Sequence, residues 1–206
     1  MPDRIPLMVN VNERTVTCVG GGKVAAKRIP ILVQAGAIVT IISPTLDDEL
    51  VSLIPDLCWE KRKLTRAETF TSDILFISTN NSLLNDELIA KAAKGQWIYA
   101  AHNAKVSDFH FPAVLEEPPV SLAIHTGGTY PAYLPKLKSI LSDALEEANV
   151  QEELKMLAEV RETVLNHPTL SKEKRTELLR ACVSDAFLKH PEKDQLLRQW
   201  IHEKSV

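Results

Sequence analysis

The sequence predicts an α/β fold in which a parallel sheet covered by helices comes first and a mainly helical part follows. Two observations predict the sheet: short, continuous apolar runs recur between residues 16 and 101, and helical patterns separate them. Buried strands joined by helices are typical of parallel sheets with both faces covered. A third observation predicts the helical part, because apolar residues recur at helical spacing after Tyr130.

Five strands and two helices are expected in the first half of the chain. The strands are predicted at Val16–Val19, Ile38–Ile42, Leu57–Glu60, Ile74–Ser78 and Gln96–Ala101. The helices are predicted at Gly22–Ala35 and Leu83–Lys94. Gly36 and Gly95 follow these helices directly, which is typical of helix ends. Pro30 lies inside the first helix and removes the hydrogen bond to the carbonyl of Ala26, so we expect a kink there.

The pattern changes after Asn103. The stretch FHFPAVLEEPPVSLAIHTGG indicates two extended segments around the turn Glu117-Pro118-Pro119. Two helical stripes follow, made of Leu154, Leu157, Val160 and Val164 and of Leu178, Leu179, Cys182, Val183 and Phe187. Pro168 and Pro191 are expected to separate the helices. Since no flexible linker is visible, the change near Pro112 is interpreted as a change of topology.

Composition excludes several functional classes. The 206 residues are 45% hydrophobic and 25% charged, as in ordinary globular proteins, and the net charge of -3 gives no basic field for nucleic acid. The start MPDRIPLMVN has no signal-peptide layout, and no apolar run reaches membrane-spanning length. We therefore expect a cytoplasmic protein without a nucleic-acid or membrane partner. Cys18, Cys58 and Cys182 form no metal-ligand pattern, so we expect three buried thiols and no bound metal.

A glycine-rich turn is the clearest candidate binding site. Gly20-Gly21-Gly22-Lys23-Val24-Ala25 fits G-x-G-x-x-A between a predicted strand and a predicted helix. Gly20 permits the tight turn, and Gly22 lets a pyrophosphate approach the backbone at the helix N-terminus. We predict that this turn binds a dinucleotide through residues 20–24, although a plain strand–turn–helix connection is the alternative.

The end of the second strand has no acidic residue where a ribose would lie. Ser43 can bond a ribose hydroxyl but does not repel a 2′-phosphate as a carboxylate would, so the residues leave NAD versus NADP open. Ser43 and Pro44 are included in the predicted cofactor site. Asp47 and Asp48 are expected at a helix start, too far along the chain to serve as this acid.

Thr79 and Asn80 follow the fourth strand at its carboxyl end. Ligands of such sheets bind at this edge, so both residues are candidates for cofactor binding. The alternative is an ordinary strand-to-helix turn in which Asn80 or Asn81 caps the next helix.

The chain resembles the precorrin-2 dehydrogenases, the siroheme-synthase N-terminal family. The matching segments run in the family's order: PLMVNVNERTVTCVGGGKVAAKRI, QAGAIVTIISP, ISTNNSLLNDELIAKAA, DFHFPAVLEEPPVSLAIHTGGTYPA and the helical tail. F-x-F-P-A followed by S-L-A-I-x-T-G-G-x-x-P is more specific than the glycine turn. The resemblance implies oxidation of precorrin-2 to sirohydrochlorin with NAD as the cofactor, and iron insertion in some members.

The resemblance also implies a domain organisation. An NAD-binding Rossmann-like domain would occupy residues 1–113, a dimerisation region with short strands residues 114–149, and a C-terminal helical domain residues 150–206. Family members share strands between subunits in the dimerisation region, so a homodimer is expected.

Catalytic and substrate-binding candidates come from matched positions. His102 lies where many bifunctional members have an aspartate implicated in oxidation and chelation; it can act as a base or be a solvated loop residue. Thr126 replaces a common serine and is the second catalytic candidate. Gly127 and Gly128 can offer free N–H groups to the substrate's carboxylates or form a simple turn. Lys136, beside a proline that replaces a family arginine, can bind a carboxylate or face water.

Three functional hypotheses follow from these residues and from the resemblance. The first is NAD-dependent oxidation of precorrin-2, in siroheme or cobalamin biosynthesis. The second is sirohydrochlorin metal chelation, alone or combined with oxidation. The third is a dinucleotide-binding module without catalysis. Because His102 lacks the fixed negative charge of an aspartate, we expect dehydrogenation to dominate over metal insertion.

Overall fold

A computed structural model describes residues 4–205. The chain passes from one compact unit to a second between Phe111 and Pro112. The boundary falls where the sequence pattern indicates a change of topology. The finer division into residues 1–113, 114–149 and 150–206 remains a prediction.

The first unit alternates strands and helices. Its elements are β1 Thr15–Val19, α1 Lys23–Gln34, β2 Ile38–Ser43, α2 Asp48–Val51, a 3-10 turn Ile54–Asp56, β3 Cys58–Lys61, β4 Ile74–Ile77, α3 Ser82–Ala90 and β5 Trp97–Ala100. All five predicted strands are present, with ends that differ by one residue or so. The predicted α/β fold is confirmed.

The five strands form one parallel sheet in the order β3-β2-β1-β4-β5. The order reverses at β1, which lies between β2 and β4, and crevices at such a reversal bind ligands outside the carboxyl ends of the strands. The loops after β1 and β4 therefore face the position where this architecture holds a cofactor.

Apolar strand residues form the core under α1. Val16, Ile41 and Phe76 from the three central strands are at most 1% exposed and pack in one cluster with Ile29 of α1. Aromatic rings extend this core beyond β5: Phe76 and Tyr99 stack with ring centroids 4.5 Å apart. Phe111 packs edge-on against both rings and Phe109 is tilted against Tyr99, so both belong to the aromatic core without forming a strand.

Two helices differ from the prediction in detail. α3 ends at Ala90, not at Lys94, because the amide of Lys91 bonds both the Glu87 and Leu88 carbonyls and closes the helix. Gly95, with φ +86°, serves the turn into β5 and not the helix end. α1 continues through Pro30 to Gln34.

The second unit is a β-hairpin followed by helices. Its elements are β6 Ala113–Glu117, β7 Val120–Ile124, a 3-10 turn Pro131–Tyr133, α4 Leu134–Glu147, α5 Val150–Leu165, α6 Lys172–Ala181, α7 Asp185–Leu188 and α8 Lys193–Ser205. β6 and β7 pair antiparallel around Pro118 and Pro119, as the extended pattern indicates. Glu117 accepts hydrogen bonds from Ser142 of α4 at 2.6 Å and Gln151 of α5 at 3.0 Å, which ties the hairpin to the helices.

The helices pack around a core of their own, in which Val164, Leu178, Cys182 and Phe187 have no exposed surface. The predicted second stripe is wrong at Val183, which is 59% exposed. α6 ends at Ala181 and a new helix starts after the next turn, so Val183 falls between two helices and loses the helical spacing.

Cysteine exposure also departs from the expectation. Cys18 and Cys182 are buried free thiols as predicted, but Cys58 is exposed because it opens the edge strand β3.

Among residues 4–205, every helix is too short or too polar to cross a membrane.

Candidate functional site

The glycine turn connects three elements of the first unit. The amide of Gly20 donates to the carbonyl of Ile42 at the end of β2, at 3.0 Å. The carbonyl of Gly21 accepts from the Asp47 amide at 2.7 Å, and that of Gly22 accepts the first hydrogen bond of α1. The turn is thus held by backbone bonds on both sides, and its geometry is set before any ligand binds.

The three glycines are needed for different reasons. Gly20 has φ +105°, and a Cβ there would lie 2.7 Å from the carbonyl oxygen of Ser78. A Cβ on Gly21 would lie 2.6 Å from both the Leu46 and Ser43 side chains. A Cβ on Gly22 would meet nothing within 4 Å. The first two glycines therefore serve the fold, whereas Gly22 keeps open the space in front of α1.

The N-terminus of α1 fits an anionic group. Gly22 is the N-cap residue and provides no side chain to bond the first-turn amides, and the first turn contains no acidic residue. Lys23 and Lys27 instead add positive charge where the helix dipole is already positive. Uncapped amides, two lysines and the open space at Gly22 together suit the pyrophosphate of a dinucleotide. Lys23 and Val24 are exposed there, as a cofactor site requires.

Ser43 is less available than the sequence suggests. It is buried, its hydroxyl donates to the Thr45 carbonyl at 2.8 Å, and its own carbonyl accepts from the indole N–H of Trp59 at 3.1 Å. The Ser43 hydroxyl can therefore only accept a hydrogen bond from a ribose. Pro44, the next residue, is exposed. Asp47 caps α2 by accepting from the Glu49 amide, which confirms that it lies at a helix start.

Lys61 is a neighbour of this position that the sequence did not single out. It pairs in register with Ser43 at the carboxyl end of β3, and its ammonium lies 5.4 Å from the Trp59 ring centroid. Arg62 is instead bound to Glu60 and Glu68, and the pKa of Glu68 is lowered to about 2 by the Arg62 hydrogen bond and the Thr65 amide. Among the described residues Lys61 therefore makes no ion pair, and its ammonium lies over the Trp59 ring at this corner.

Thr79 and His102 join one hydrogen-bonded network through α3. Thr79 Oγ1 donates to Asn85 Oδ1 at 2.5 Å, and Asn85 Nδ2 donates to the Thr79 carbonyl at 3.0 Å. Asn85 Nδ2 also lies 3.4 Å from His102 Nδ1, and His102 Nε2 lies 3.5 Å from Asp86 Oδ1. Two predicted site residues, from the loops after β4 and β5, are thus held together by Asn85.

Sequence reasoning missed Asn85 and Asp86. The available signal was weak: an asparagine stands between Leu84 and Leu88 on the apolar side of α3, where a buried amide needs partners. Asn81 is the helix cap and accepts from the Leu84 amide at 3.1 Å. Asn80 is therefore not the cap; it is exposed, and within residues 4–205 its side chain makes no hydrogen bond.

Cys18 lies under the glycine turn but is chemically quiet. Its thiol donates to the Gly20 carbonyl at 3.2 Å, and complete burial raises its pKa to about 12. A thiol with this pKa stays protonated at neutral pH, so it is a poor nucleophile.

The second unit contains the remaining candidates. Gly127 and Gly128 have φ of +67° and +76°, as an irregular turn requires, but the Gly127 amide donates to His125 Nδ1 at 3.1 Å. The expectation of two free N–H groups is therefore wrong at Gly127. Thr126 is half-buried and its carbonyl accepts from the Thr129 amide, while Lys136 is exposed on the first turn of α4.

Comparisons with known proteins agree with this geometry. Residues 7–113, more than half of the chain, match a family model described as putative NAD(P)-binding. A solved structure described as SirC, precorrin-2 dehydrogenase, superposes on 97% of this chain and 100% of its own with a TM-score of 0.77 and 25% identity.

Curated relatives give the same result at the level of sequence. The precorrin-2 dehydrogenase of Bacillus subtilis is 24% identical over 152 residues, which are 70% of this chain and 94% of that protein. The siroheme synthase of Tolumonas auensis is 29% identical over 144 residues, which are 69% of this chain but 31% of that longer protein. The match thus spans about a third of the siroheme synthases, and it confirms the resemblance that the sequence motifs indicate.

Proposed function

Because the chain belongs to the putative NAD(P)-binding family, we propose that it oxidises precorrin-2 to sirohydrochlorin with NAD. The observation that supports this most is the preformed glycine turn, open at Gly22, in a chain that matches a solved precorrin-2 dehydrogenase along nearly its whole length. The reaction belongs to tetrapyrrole biosynthesis, and its product serves as the precursor of siroheme.

The division of labour between cofactor and protein follows from the site. NAD supplies the acceptor for the hydride that leaves the macrocycle. The first-turn amides of α1 and Lys23 hold the pyrophosphate, and the exposed loops at Pro44 and Asn80 are placed at the same edge of the sheet. The accompanying proton can leave to solvent, so the reaction does not require a strong base in the protein.

Substrate binding is proposed to rest on polar groups that can meet carboxylates. Precorrin-2 has acetate and propionate side chains, which are carboxylates at neutral pH. His102 is the candidate in the first unit. Thr126, Gly128 and Lys136 are the candidates within the second unit. The Gly127 amide can join them only if it leaves His125, to which it donates.

A chelatase activity is the second candidate, and one observation favours it. His102 takes the position of the family's aspartate, yet the carboxylate of Asp86 lies 3.5 Å from its Nε2. A pair of this kind can receive the pyrrole protons that a metal displaces. Asp86 is 67% exposed, however, so its charge is well screened, and we expect metal insertion to be slow.

The test supplies the purified protein with precorrin-2 and NAD and follows sirohydrochlorin by absorbance. We expect turnover that requires the nucleotide, and about a tenfold decrease for His102→Ala, below the usual range for loss of a general base. Iron or cobalt is then added to sirohydrochlorin without nucleotide to measure insertion. NAD binding without turnover of precorrin-2 would instead favour a binding module without catalysis.

We also propose that the protein is a homodimer formed through the second unit. None of the 14 residues of α4 is buried, although its leucines and Ile140 form an apolar face, and Ile140 is 45% exposed. Val114 of the adjoining hairpin is exposed as well. Apolar surface of this kind marks protein–protein interfaces.

The free, exposed thiol of Cys58 is compatible with the cytoplasm, which we propose as the location.

The homodimer is tested by light scattering at micromolar concentration. We expect about twice the chain mass of 22.9 kDa. Ile140→Glu should shift the protein toward the monomer, because a carboxylate would be buried without a partner. Ser139→Glu adds the same charge on the opposite side of α4 and should leave the dimer intact. A wild-type monomer that still turns over substrate would contradict the proposal.

A further inference from the structure

Asn85 is a buried amide whose orientation is fixed by one residue. Asn85 is 1% exposed, so each polar atom of its side chain needs a hydrogen-bond partner. The Thr79 carbonyl can only accept, and it therefore faces the NH₂ group of Asn85 at 3.0 Å. The Thr79 hydroxyl then donates to Asn85 Oδ1. A flipped amide would place oxygen against oxygen, so two contacts with Thr79 define which atom is Nδ2.

This orientation determines where the proton of His102 lies. One hydrogen of Asn85 Nδ2 is used by Thr79, and the other points to His102 Nδ1, 3.4 Å away. A ring nitrogen that faces a donor must accept, so Nδ1 is unprotonated and the proton of the neutral ring is on Nε2. Nε2 lies 3.5 Å from the carboxylate of Asp86, which can only accept. Both neighbours therefore require the same tautomer.

We propose that Asn85 is a positioning residue that holds His102 as an Nε2–H hydrogen-bond donor. The inference rests on the proposed function, because it specifies the role of His102 in that site: the ring donates to a substrate carboxylate and does not accept the departing proton. The His102 side chain is 27% exposed, and Asp86 is far more exposed, so an incoming carboxylate can replace Asp86 as the acceptor. The bond from Asn85 keeps the ring plane in place during that exchange.

The first test measures the tautomer directly by nitrogen NMR of the full chain labelled at histidine. The sequence has six histidines, so His102→Gln identifies the His102 signals. In the wild type without ligand, the neutral ring is expected to have Nε2 protonated and Nδ1 unprotonated. Asn85→Asp should place a proton on Nδ1, since a carboxylate accepts where the amide donates, whereas Nε2 keeps its proton toward Asp86. Asp86→Asn, on the exposed neighbour, should leave the wild-type tautomer unchanged.

Either of two NMR results would overturn the inference. One is a wild-type ring protonated at Nδ1, a measurement that needs no folded variant of Asn85. The other is a folded Asn85→Asp protein with the wild-type tautomer. Because the NMR test uses no substrate or cofactor, an expected tautomer in a protein without turnover would reject the proposed function while leaving the role of Asn85 intact.

The second test separates a donor from a base by kinetics. A glutamine amide can donate in place of Nε2–H but cannot accept a proton near neutral pH. We expect His102→Gln to keep kcat within about threefold of the wild type, and Asn85→Leu to raise KM for precorrin-2 more than it lowers kcat, as loss of substrate binding does. A loss of kcat of about a thousandfold in His102→Gln, on the scale of a general base, contradicts the donor role.

Discussion

Gly22→Asp is expected to weaken NAD binding by about a hundredfold or more without destabilising the protein. A side chain at this position meets nothing within 4 Å, and φ of -92° is acceptable to any residue. The aspartate would also be the N-cap of α1, where it stabilises a helix over glycine by roughly a few tenths of a kcal/mol. The same carboxylate would occupy the space of the pyrophosphate and bond the amides that hold it. A hundredfold loss corresponds to about 2.8 kcal/mol of binding free energy.

The measurement is a calorimetric titration of NAD into wild type and variants. Gly22→Asn has the size and the capping ability of aspartate without its charge, so it separates steric from electrostatic loss. Gly22→Ala adds only a methyl group and leaves the helix amides available to the pyrophosphate. It should therefore weaken binding less than the aspartate and asparagine variants. The melting temperature of Gly22→Asp should equal or exceed that of the wild type. Equal NAD affinity in a folded Gly22→Asp protein would place the dinucleotide elsewhere.

The fold of the first unit could be predicted because its strands are continuous apolar runs. Ile74–Ile77 is buried at every position, and such a run between a polar turn and a helix has few other interpretations. The end of α3 could not be predicted from Gly95, since the closing bonds at Lys91 depend on backbone geometry. Val183 was misplaced for a similar reason: a stripe with helical spacing does not reveal that the helix stops within it.

The candidate site was predicted in its parts but not in its connections. The glycine motif identified the turn, yet a Cβ on Gly21 would clash with Ser43 and Leu46 only because the loop after β2 folds back over the turn. Asn85 and His102 are 17 residues apart in the chain and meet only because α3 lies beside the loop that follows β5. Contacts of this kind follow from tertiary packing, and individual contact pairs cannot be read from the pattern of a single sequence.

Gly20→Ala is expected to destabilise the first unit by about 3 kcal/mol. The left-handed backbone at Gly20, φ +105°, costs a residue with a Cβ roughly 1–2 kcal/mol. The Cβ would in addition lie 2.7 Å from the carbonyl oxygen of Ser78, which is backbone and cannot rotate away. Relief of that contact would move Ser78 and stretch the hydrogen bond from its amide to the Val19 carbonyl. This hydrogen bond lies next to the last paired residues of β1 and β4. Strain and loss of a hydrogen bond thus act on the same two central strands.

The matched control for this prediction is Gly22→Ala, the same chemical change two residues along the chain. With no neighbour within 4 Å and an ordinary φ, it should change the free energy of unfolding by less than about 0.5 kcal/mol. Urea unfolding is followed by tryptophan fluorescence in a Trp200→Phe background, because Trp59 and Trp97 then report on the first unit alone. Equal stability of the two alanine variants would mean that the turn relaxes around a side chain at Gly20. In that case the conformation at Gly20 would not be required for the turn that presents Gly22.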